Sequence, residues 1–144
     1  MDIMWKVCEI FILLNSVLLL AEHTSGTPQL VQLTEVDVPT QRPIGSNALL
    51  RCLFLLFPPA TLYSVKWYKD GSEFFRYLPG DTPAAQAFPL PGITVDISDS
   101  NAHLVILNNL QIESSGVYVC EVSTEAPSFH TVSGQGTMTV TGKQ

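Results

Sequence analysis

The chain has 144 residues, 46% of them hydrophobic, and its 13 acidic and 7 basic residues give a formal net charge of −6. This length allows one ordinary domain, and many apolar side chains with few charges favour a packed core over a disordered chain. No run of basic residues occurs, which argues against nucleic acid as a partner.

Residues 1–26 are predicted to be a secretory signal peptide. A short polar start leads into an apolar run at residues 10–20 (IFILLNSVLLL), and small residues follow it. A transmembrane helix needs about 20 apolar residues, and this run is well short of that length. Cleavage after Ala21 or Gly26 would remove Cys8. Residues 27–144 are then one domain of a secreted or cell-surface protein, in an extracellular and oxidising compartment.

Four residues carry the strongest pattern in the chain. Trp67 lies between Cys52 and Cys120, and Tyr118 stands two positions before the second cysteine. In an immunoglobulin sandwich the two cysteines bridge the sheets, the tryptophan packs on the bridge and the tyrosine closes a corner. No histidine or acid stands at metal-ligand spacing beside either cysteine, so a metal pair is disfavoured. We therefore expect one structural disulfide between Cys52 and Cys120.

Short alternating segments between turn signals predict eight strands. In the order of an immunoglobulin sandwich they are strands A, B, C, C′, D, E, F and G, at residues 30–38, 47–54, 63–69, 73–78, 93–98, 103–110, 116–122 and 132–140. Asp70-Gly71 predicts a tight hairpin between C and C′. The long segment between Trp67 and Cys120 has room for C′ and leaves C″ open, as in the variable type. The predicted fold is all-β: a variable-type immunoglobulin β-sandwich with Greek-key connections and one inter-sheet disulfide.

Three details follow from the strand register. Period two points Val65 and Trp67 inward and Lys66 and Tyr68 outward, and the core is also expected to hold a set on strand E, Val105, Leu107 and Leu110. Gly134 and Gly136, two apart, predict a bulge in strand G. Ser114 stands where related domains often carry an acid, so no salt bridge to strand D is expected there.

Catalytic chemistry is not indicated. Only His103 and His130 follow the predicted signal peptide, and no nucleophile motif, carboxylate pair, phosphate loop or metal cluster accompanies them. Ser128 is close to His130, but side chains two apart on a strand or loop seldom form a dyad. The sequence predicts no enzyme activity, no cofactor, no metal site and no small-molecule substrate.

The sequence instead predicts a binding surface on the outer face of the predicted C-C′-F-G sheet. Its candidates are aromatic and arginine residues, the types that anchor interfaces, together with outward positions of strand F: Tyr68, Phe74, Phe75, Arg76, Tyr77, Val117, Val119 and Glu121. The F–G loop, residues 123–131, adds four candidates at its tip: Glu125, Pro127, Phe129 and His130. Two alternatives stay open, since Phe74 or Phe75 can pack under the segment 79–92 and Phe129 can fold back over the end of the sandwich.

Four segments resemble the beaten path family of insect neuronal immunoglobulin proteins. They are residues 62–71 (LYSVKWYKDG), 73–77 (EFFRY), 88–92 (FPLPG) and 120–132 (CEVSTEAPSFHTV), and FPLPG and CEVSTEAPSF are the most specific pieces. The resemblance, to the first, variable-type domain of the family, covers most of residues 30–140. It implies a recognition protein of axon guidance that binds sidestep-type immunoglobulin receptors and modulates adhesion between axons. It also implies contacts through the C-C′-F-G sheet: Tyr68, Phe74, Arg76, Tyr77, Glu125, Pro127 and Phe129.

Members of that family generally continue into a second immunoglobulin domain, often followed by a membrane anchor. This sequence stops just after strand G, so a short secreted form and an incomplete sequence both stay open. Two other functions also stay open. One is a homophilic adhesion domain that forms a weak dimer through the same sheet, and the other is an immune-type soluble binding protein.

Overall fold

The computed structural model describes residues 26–142, so the predicted signal peptide and Cys8 lie outside the described residues apart from Gly26. Within this range nine strands and one turn of 3₁₀ helix follow one another. The strands β1 to β9 are Val31–Asp37, Gln41–Pro43, Ala48–Leu56, Leu62–Lys69, Ser72–Tyr77, Ala85–Ala87, Leu104–Leu107, Gly116–Thr124 and Thr131–Thr141, and the helix is Ile112–Ser114. None of the described helices is long and apolar enough to cross a membrane.

The strands form two sheets. The back sheet has the order β1-β3-β7, and the front sheet has the order β2-β9-β8-β4-β5-β6. Every strand pair is antiparallel except β2 with β9, which run parallel. Strands β5 and β6 extend the front sheet beyond β4, which is the feature of the variable type. The predicted fold class is confirmed, and β6 occupies the place that the sequence left open for C″.

The core lies between the sheets because each strand buries alternate residues. On β3 the residues Ala48, Leu50 and Cys52 are buried, whereas Leu49 and Arg51 point to solvent. The other expected core residues are also fully buried: Val65, Trp67, Val105, Leu107, Leu110 and Tyr118. A disulfide of 2.00 Å joins Cys52 on the back sheet to Cys120 on the front sheet, and Trp67 pairs directly with Cys120 across β4 and β8.

The prediction of a strand D at residues 93–98 is wrong. Only isolated bridges occur there, between Leu90 and Ile93 and between Val95 and Leu107. The chain turns away after Asp96, whose carboxylate accepts hydrogen bonds from the Ser98 hydroxyl at 2.9 Å and the Asp99 amide at 3.4 Å. Such local side-chain bonds compete with the ladder of a sheet.

The predicted bulge in strand G is also wrong. The register between β8 and β9 runs without a shift from Gly116–Met138 to Ser123–Thr131. The glycines have a different role, because β1 and Val38, the residue that follows it, pack closely against β9. A Cβ on Gly134 would lie 2.7 Å from a methyl group of Val36, and a Cβ on Gly136 would lie 2.7 Å from the Cβ of Val38.

Hydrogen bonds from the hydroxyl groups of Tyr118 and Ser114 stabilise the turn before β8. The Tyr118 hydroxyl donates to the carbonyl of Ser114, and burial raises the pKa of Tyr118. Ser114 is itself buried; its hydroxyl donates to the Gly92 carbonyl and accepts from the Gln111 amide at 2.9 Å. The position where related domains often carry an acid thus holds a neutral hydrogen-bonded link to the segment before β7.

Candidate interaction surface

A tight hairpin joins β4 to β5 and begins the candidate surface. Asp70 and Gly71 both have positive φ, 47° and 84°, which is the backbone of the predicted two-residue turn. One carboxylate oxygen of Asp70 accepts the Val117 amide at 2.9 Å and so ties the turn to β8. This hydrogen bond, followed by the one from Lys69, lowers the pKa of Asp70.

Phe74 and Phe75 do not project from the sheet, so that prediction is wrong. The register shifts between Trp67 and Tyr68: Phe75 faces Trp67, Glu73 faces Tyr68, and Phe74 is the extra residue between them. This irregularity turns two consecutive phenylalanines into the core, where both are fully buried. The rings of Phe74 and Tyr118 meet edge to face at 5.8 Å.

Tyr77 also lies on the inner side of the front sheet. It pairs with the inward residue Val65, is half-buried and packs against the core. The sequence-based placement of Tyr77 on the outer face is therefore wrong as well. A partner at the outer face of the sheet meets none of Phe74, Phe75 and Tyr77.

Tyr68 and Arg76 do lie on the outer face, where the charge of Arg76 is already paired with Glu73. The Arg76 guanidinium forms two hydrogen bonds to the Glu73 carboxylate, at 2.7 and 2.9 Å, and its Cζ lies 4.8 Å from the centre of the Phe88 ring. The Tyr68 hydroxyl donates to Glu121 at 3.4 Å, and burial together with Glu121 raises the pKa of Tyr68. Hydrogen-bonded polar groups therefore dominate this part of the surface.

The loop between β8 and β9 carries the most exposed large apolar side chain of residues 26–142. Glu125 and Pro127 are exposed, and Phe129 is 73% exposed with a φ of 46°. Phe129 does not fold back over the end of the sandwich. The remaining candidate, His130, is half-buried and supports the loop: its amide donates to the Thr124 hydroxyl at 2.9 Å, and its ring accepts the Leu30 amide at 3.4 Å.

Tyr63 is a surface residue that the sequence did not single out. It is 54% exposed. Period two would have turned it inward with Val65 and Trp67, but a register shift between Leu62 and Ser64 leaves it unpaired with β8. Only the strand partner creates this shift, so the sequence carries no signal for it.

Tyr63 and Phe129 border the same surface groove. The lining is completed by Glu125 and Ala126, and the groove has a volume of about 430 Å³. Thr61 joins the two sides: its hydroxyl donates to a carboxylate oxygen of Glu125 at 3.2 Å, and its carbonyl accepts the Glu125 amide at 3.0 Å. We call this the loop-end groove.

The described residues show no group of three or more His, Cys, Asp or Glu side chains that could hold a metal ion. Aromatic side chains are enriched among the residues that dominate protein–protein interfaces, and a loop held by hydrogen bonds loses less conformational entropy on binding. The arrangement favours recognition of a macromolecule.

Comparison with solved structures finds many immunoglobulin domains. Murine CRIg has a TM-score of 0.56 at 15% identity, covering 79% of this chain and 98% of that one. One chain of the crystal structure of Dpr1 IG1 bound to DIP-eta IG1 has a TM-score of 0.53 at 16% identity, covering 81% of this chain and 100% of that one. The titin domains Z1Z2, solved in complex with telethonin, have a TM-score of 0.52 at 19% identity, covering 82% of this chain and 51% of theirs. Identities this low show the fold alone.

No curated protein matches the sequence significantly. The sequence profile of the immunoglobulin V-set domain, however, matches residues 35–141. This range takes in both cysteines, Trp67, Tyr118 and the whole loop-end groove. Proteins with this domain are typically binding proteins without enzymatic activity, found outside the cell or at its surface. The chain therefore belongs to the immunoglobulin V-set domain family.

Proposed function

We propose that this domain is an extracellular recognition module of axon guidance that binds a sidestep-type immunoglobulin receptor and so modulates adhesion between axons. The observation that carries the proposal is the 73% exposure of Phe129 on a loop held by hydrogen bonds. The choice of receptor and process is supported by the resemblance of four segments to the beaten path family. The proposal includes no catalytic step, cofactor, nucleic acid or small-molecule substrate.

An exposed phenylalanine is a source of binding energy. Burying such a side chain stabilises a complex by roughly 1.5–3 kcal/mol, and aromatic residues are frequent among the side chains that dominate interfaces. The loop is ordered before binding, since Ser128 donates to the Glu125 carbonyl at 3.1 Å and His130 is bonded to Thr124 and Leu30. A loop that is already ordered loses less conformational entropy when a partner arrives.

Structural neighbours support a protein as the partner. Dpr1 IG1 is bound to DIP-eta IG1 in its crystal structure, and titin Z1Z2 is in complex with telethonin in another. Sandwiches of this shape thus present surfaces to other proteins. Residues Tyr68, Arg76, Glu125, Pro127 and Phe129 are the surface positions we propose for this contact, with His130 in support.

The test is a binding screen. The protein secreted from the full sequence is assayed against a panel of neuronal immunoglobulin ectodomains, with the protein itself included. We expect saturable binding to a sidestep-type ectodomain, lost in Phe129→Glu and kept in Leu55→Glu, which places the same charge at a 50% exposed site on the back sheet.

Two results would contradict the proposal. Binding that persists in a folded Phe129→Glu variant would remove the loop from the interface. Self-association without any ectodomain binding would favour a homophilic adhesion domain, and a concentration-dependent dimer in sedimentation would then be expected. Phe75→Ala is not a useful interface variant because Phe75 is part of the core.

A further inference from the structure

The loop-end groove combines two kinds of group. Tyr63 and Phe129, 54% and 73% exposed, contribute aromatic rings, and Glu125 contributes a carboxylate. Aromatic faces attract cations, and a carboxylate binds a guanidinium through two parallel hydrogen bonds. From this juxtaposition we infer that the groove takes an arginine side chain of the protein partner. The inference rests on the proposed function and names the chemistry that its partner presents.

The Glu125 carboxylate is held in position, and no cation of residues 26–142 forms a salt bridge with it. Thr61 forms two hydrogen bonds with Glu125. Its hydroxyl donates to the carboxylate at 3.2 Å, and its backbone carbonyl accepts the Glu125 amide at 3.0 Å. The salt bridges within residues 26–142 are Lys69–Asp70 and Arg76–Glu73, and neither involves Glu125. The second carboxylate oxygen of Glu125 accepts no hydrogen bond from the described residues, so it remains available to a ligand.

Elsewhere in this domain, a carboxylate and an aromatic ring already bind an arginine side chain. On the outer face of the front sheet, the Arg76 guanidinium is bound by both oxygens of Glu73 and lies 4.8 Å from the centre of the Phe88 ring. One carboxylate and one aromatic ring hold an arginine there. The loop-end groove has the same carboxylate and aromatic components, with a second aromatic residue, but no arginine of the described residues lines it.

Charge and shape favour arginine over other ligands. Without the predicted signal peptide, residues 27–144 hold ten acidic and six basic residues, and this net charge of −4 attracts cationic partners and repels anionic ones. A planar guanidinium can stack on a ring and bond a carboxylate at the same time, whereas the ammonium of lysine is a compact, strongly hydrated charge. Lysine is therefore expected to bind more weakly than arginine.

The test needs no knowledge of the receptor. The labelled secreted protein is titrated with acetyl-Gly-Arg-Gly-amide and observed by NMR. The matched probe is acetyl-Gly-citrulline-Gly-amide, which has nearly the same shape without the charge, and the lysine tripeptide is a third arm. We expect saturable shifts at Tyr63, Glu125 and Phe129 with the arginine peptide, and at least fivefold weaker binding of the citrulline peptide.

Two substitutions separate the contributions. Glu125→Gln keeps an oxygen for Thr61 and removes the charge, and it is expected to weaken arginine binding about tenfold. Phe129→Leu keeps an apolar side chain and removes the ring, and it is expected to weaken binding by a factor of about three or more. Glu113→Gln, at an exposed site on the 3₁₀ helix, is the control and should bind like the wild type.

The inference is overturned if the arginine peptide produces no groove shifts at tens of millimolar, if citrulline binds equally well, or if the shifts lie elsewhere on the surface. Its failure differs from failure of the proposed function. Binding of an ectodomain without arginine recognition would leave the receptor proposal intact. Arginine recognition with no ectodomain binding would leave only the groove chemistry, and self-association that requires Glu125 would make a second copy the source of the arginine.

Discussion

At the residue scale, identical side chains have opposite roles in this domain. Phe75 has no exposed surface, whereas Phe129 is the most exposed large apolar residue of the described chain. The sequence offered both as interface candidates because both lie in segments expected at the surface. The structure distinguishes them, because Phe75 is buried in the core and Phe129 is not. The two residues should therefore differ in their contribution to the free energy of unfolding.

Phe75→Ala and Phe129→Ala form a matched pair. Removing the buried ring leaves a cavity beside Trp67 and is expected to lower the free energy of unfolding by about 3–5 kcal/mol. Removing the exposed ring should change it by less than about 0.5 kcal/mol. Chemical denaturation of both variants gives the two values. A loss of several kcal/mol in Phe129→Ala would mean that the loop packs on the sandwich.

Asp70 should make stability depend on pH. Its hydrogen bonds from Val117 and Lys69 hold its pKa below 3.8 in the folded state, so the ionised form is favoured by folding. This contribution is present above pH 3.8 and is lost as the pH falls through the lower folded value. The substitution Asp70→Asn tests this, because asparagine also tolerates a positive φ but carries no charge.

We therefore expect Asp70→Asn to be less stable than the wild type at neutral pH, with the difference in stability shrinking as the pH falls below 3.8. Denaturation midpoints measured across this range test it. Asp37→Asn is the control, because the described residues give the Asp37 side chain no hydrogen bond or ion pair. A gap that stays constant with pH would show that the charge of Asp70 is not the cause.

At the element scale, the packing of β1 on β9 explains two glycines that the sequence assigned to a bulge. Side chains of Val36 and Val38 occupy the space where side chains on Gly134 and Gly136 would lie. The two contacts differ, since Gly134 is approached by a methyl group and Gly136 by a Cβ next to the backbone. Because of this difference, Gly136 can serve as the control when the contact between Gly134 and Val36 is tested by mutation.

Gly134→Ala is expected to lower the free energy of unfolding by about 1–3 kcal/mol because the added methyl overlaps Val36. In a Val36→Ala background the same substitution should cost less, since the conflicting methyl is absent. The methyl group added by Gly136→Ala would overlap Val38. Val36→Ala should therefore recover little of the stability that Gly136→Ala loses. Double-mutant cycles from denaturation curves measure both couplings. Equal coupling for the two glycines would contradict the proposed contacts.

At the scale of the whole molecule, the two sheets are joined by one disulfide that spans 68 positions of sequence. The chain-entropy model gives such a bridge about 4 kcal/mol, which is large against the roughly 5–15 kcal/mol that stabilises an ordinary domain. A large share of the stability of this domain is therefore expected to depend on oxidation.

The double variant Cys52→Ala/Cys120→Ala is expected to lose about 2–5 kcal/mol relative to the oxidised protein. Denaturation of the variant, of the oxidised wild type and of the reduced wild type measures this loss. The variant and the reduced protein should agree within about 1 kcal/mol, apart from the cavity that the missing sulfurs leave. A loss below 1 kcal/mol would show that sheet packing alone stabilises the sandwich.

The sequence by itself determined the fold class, the disulfide and the central strands. These features depend on spacing and period two, which are properties of the chain itself: Cys52, Trp67 and Cys120 stand at immunoglobulin spacing, and Val65 and Trp67 alternate with Lys66 and Tyr68. The choice of Glu125 and Phe129 as surface residues followed from their place in a loop. Their contact with a partner stays a prediction.

Only the tertiary structure decided which aromatic residues face solvent. Phe74, Phe75 and Tyr63 all lie beside register shifts, and a shift of one residue turns a side chain to the other face of a sheet. Whether a strand contains such a shift depends on its neighbour and not on its own sequence. The loop-end groove likewise unites Tyr63 with Glu125 and Phe129 from distant parts of the chain, and only the pairing of β4 with β8 brings them together.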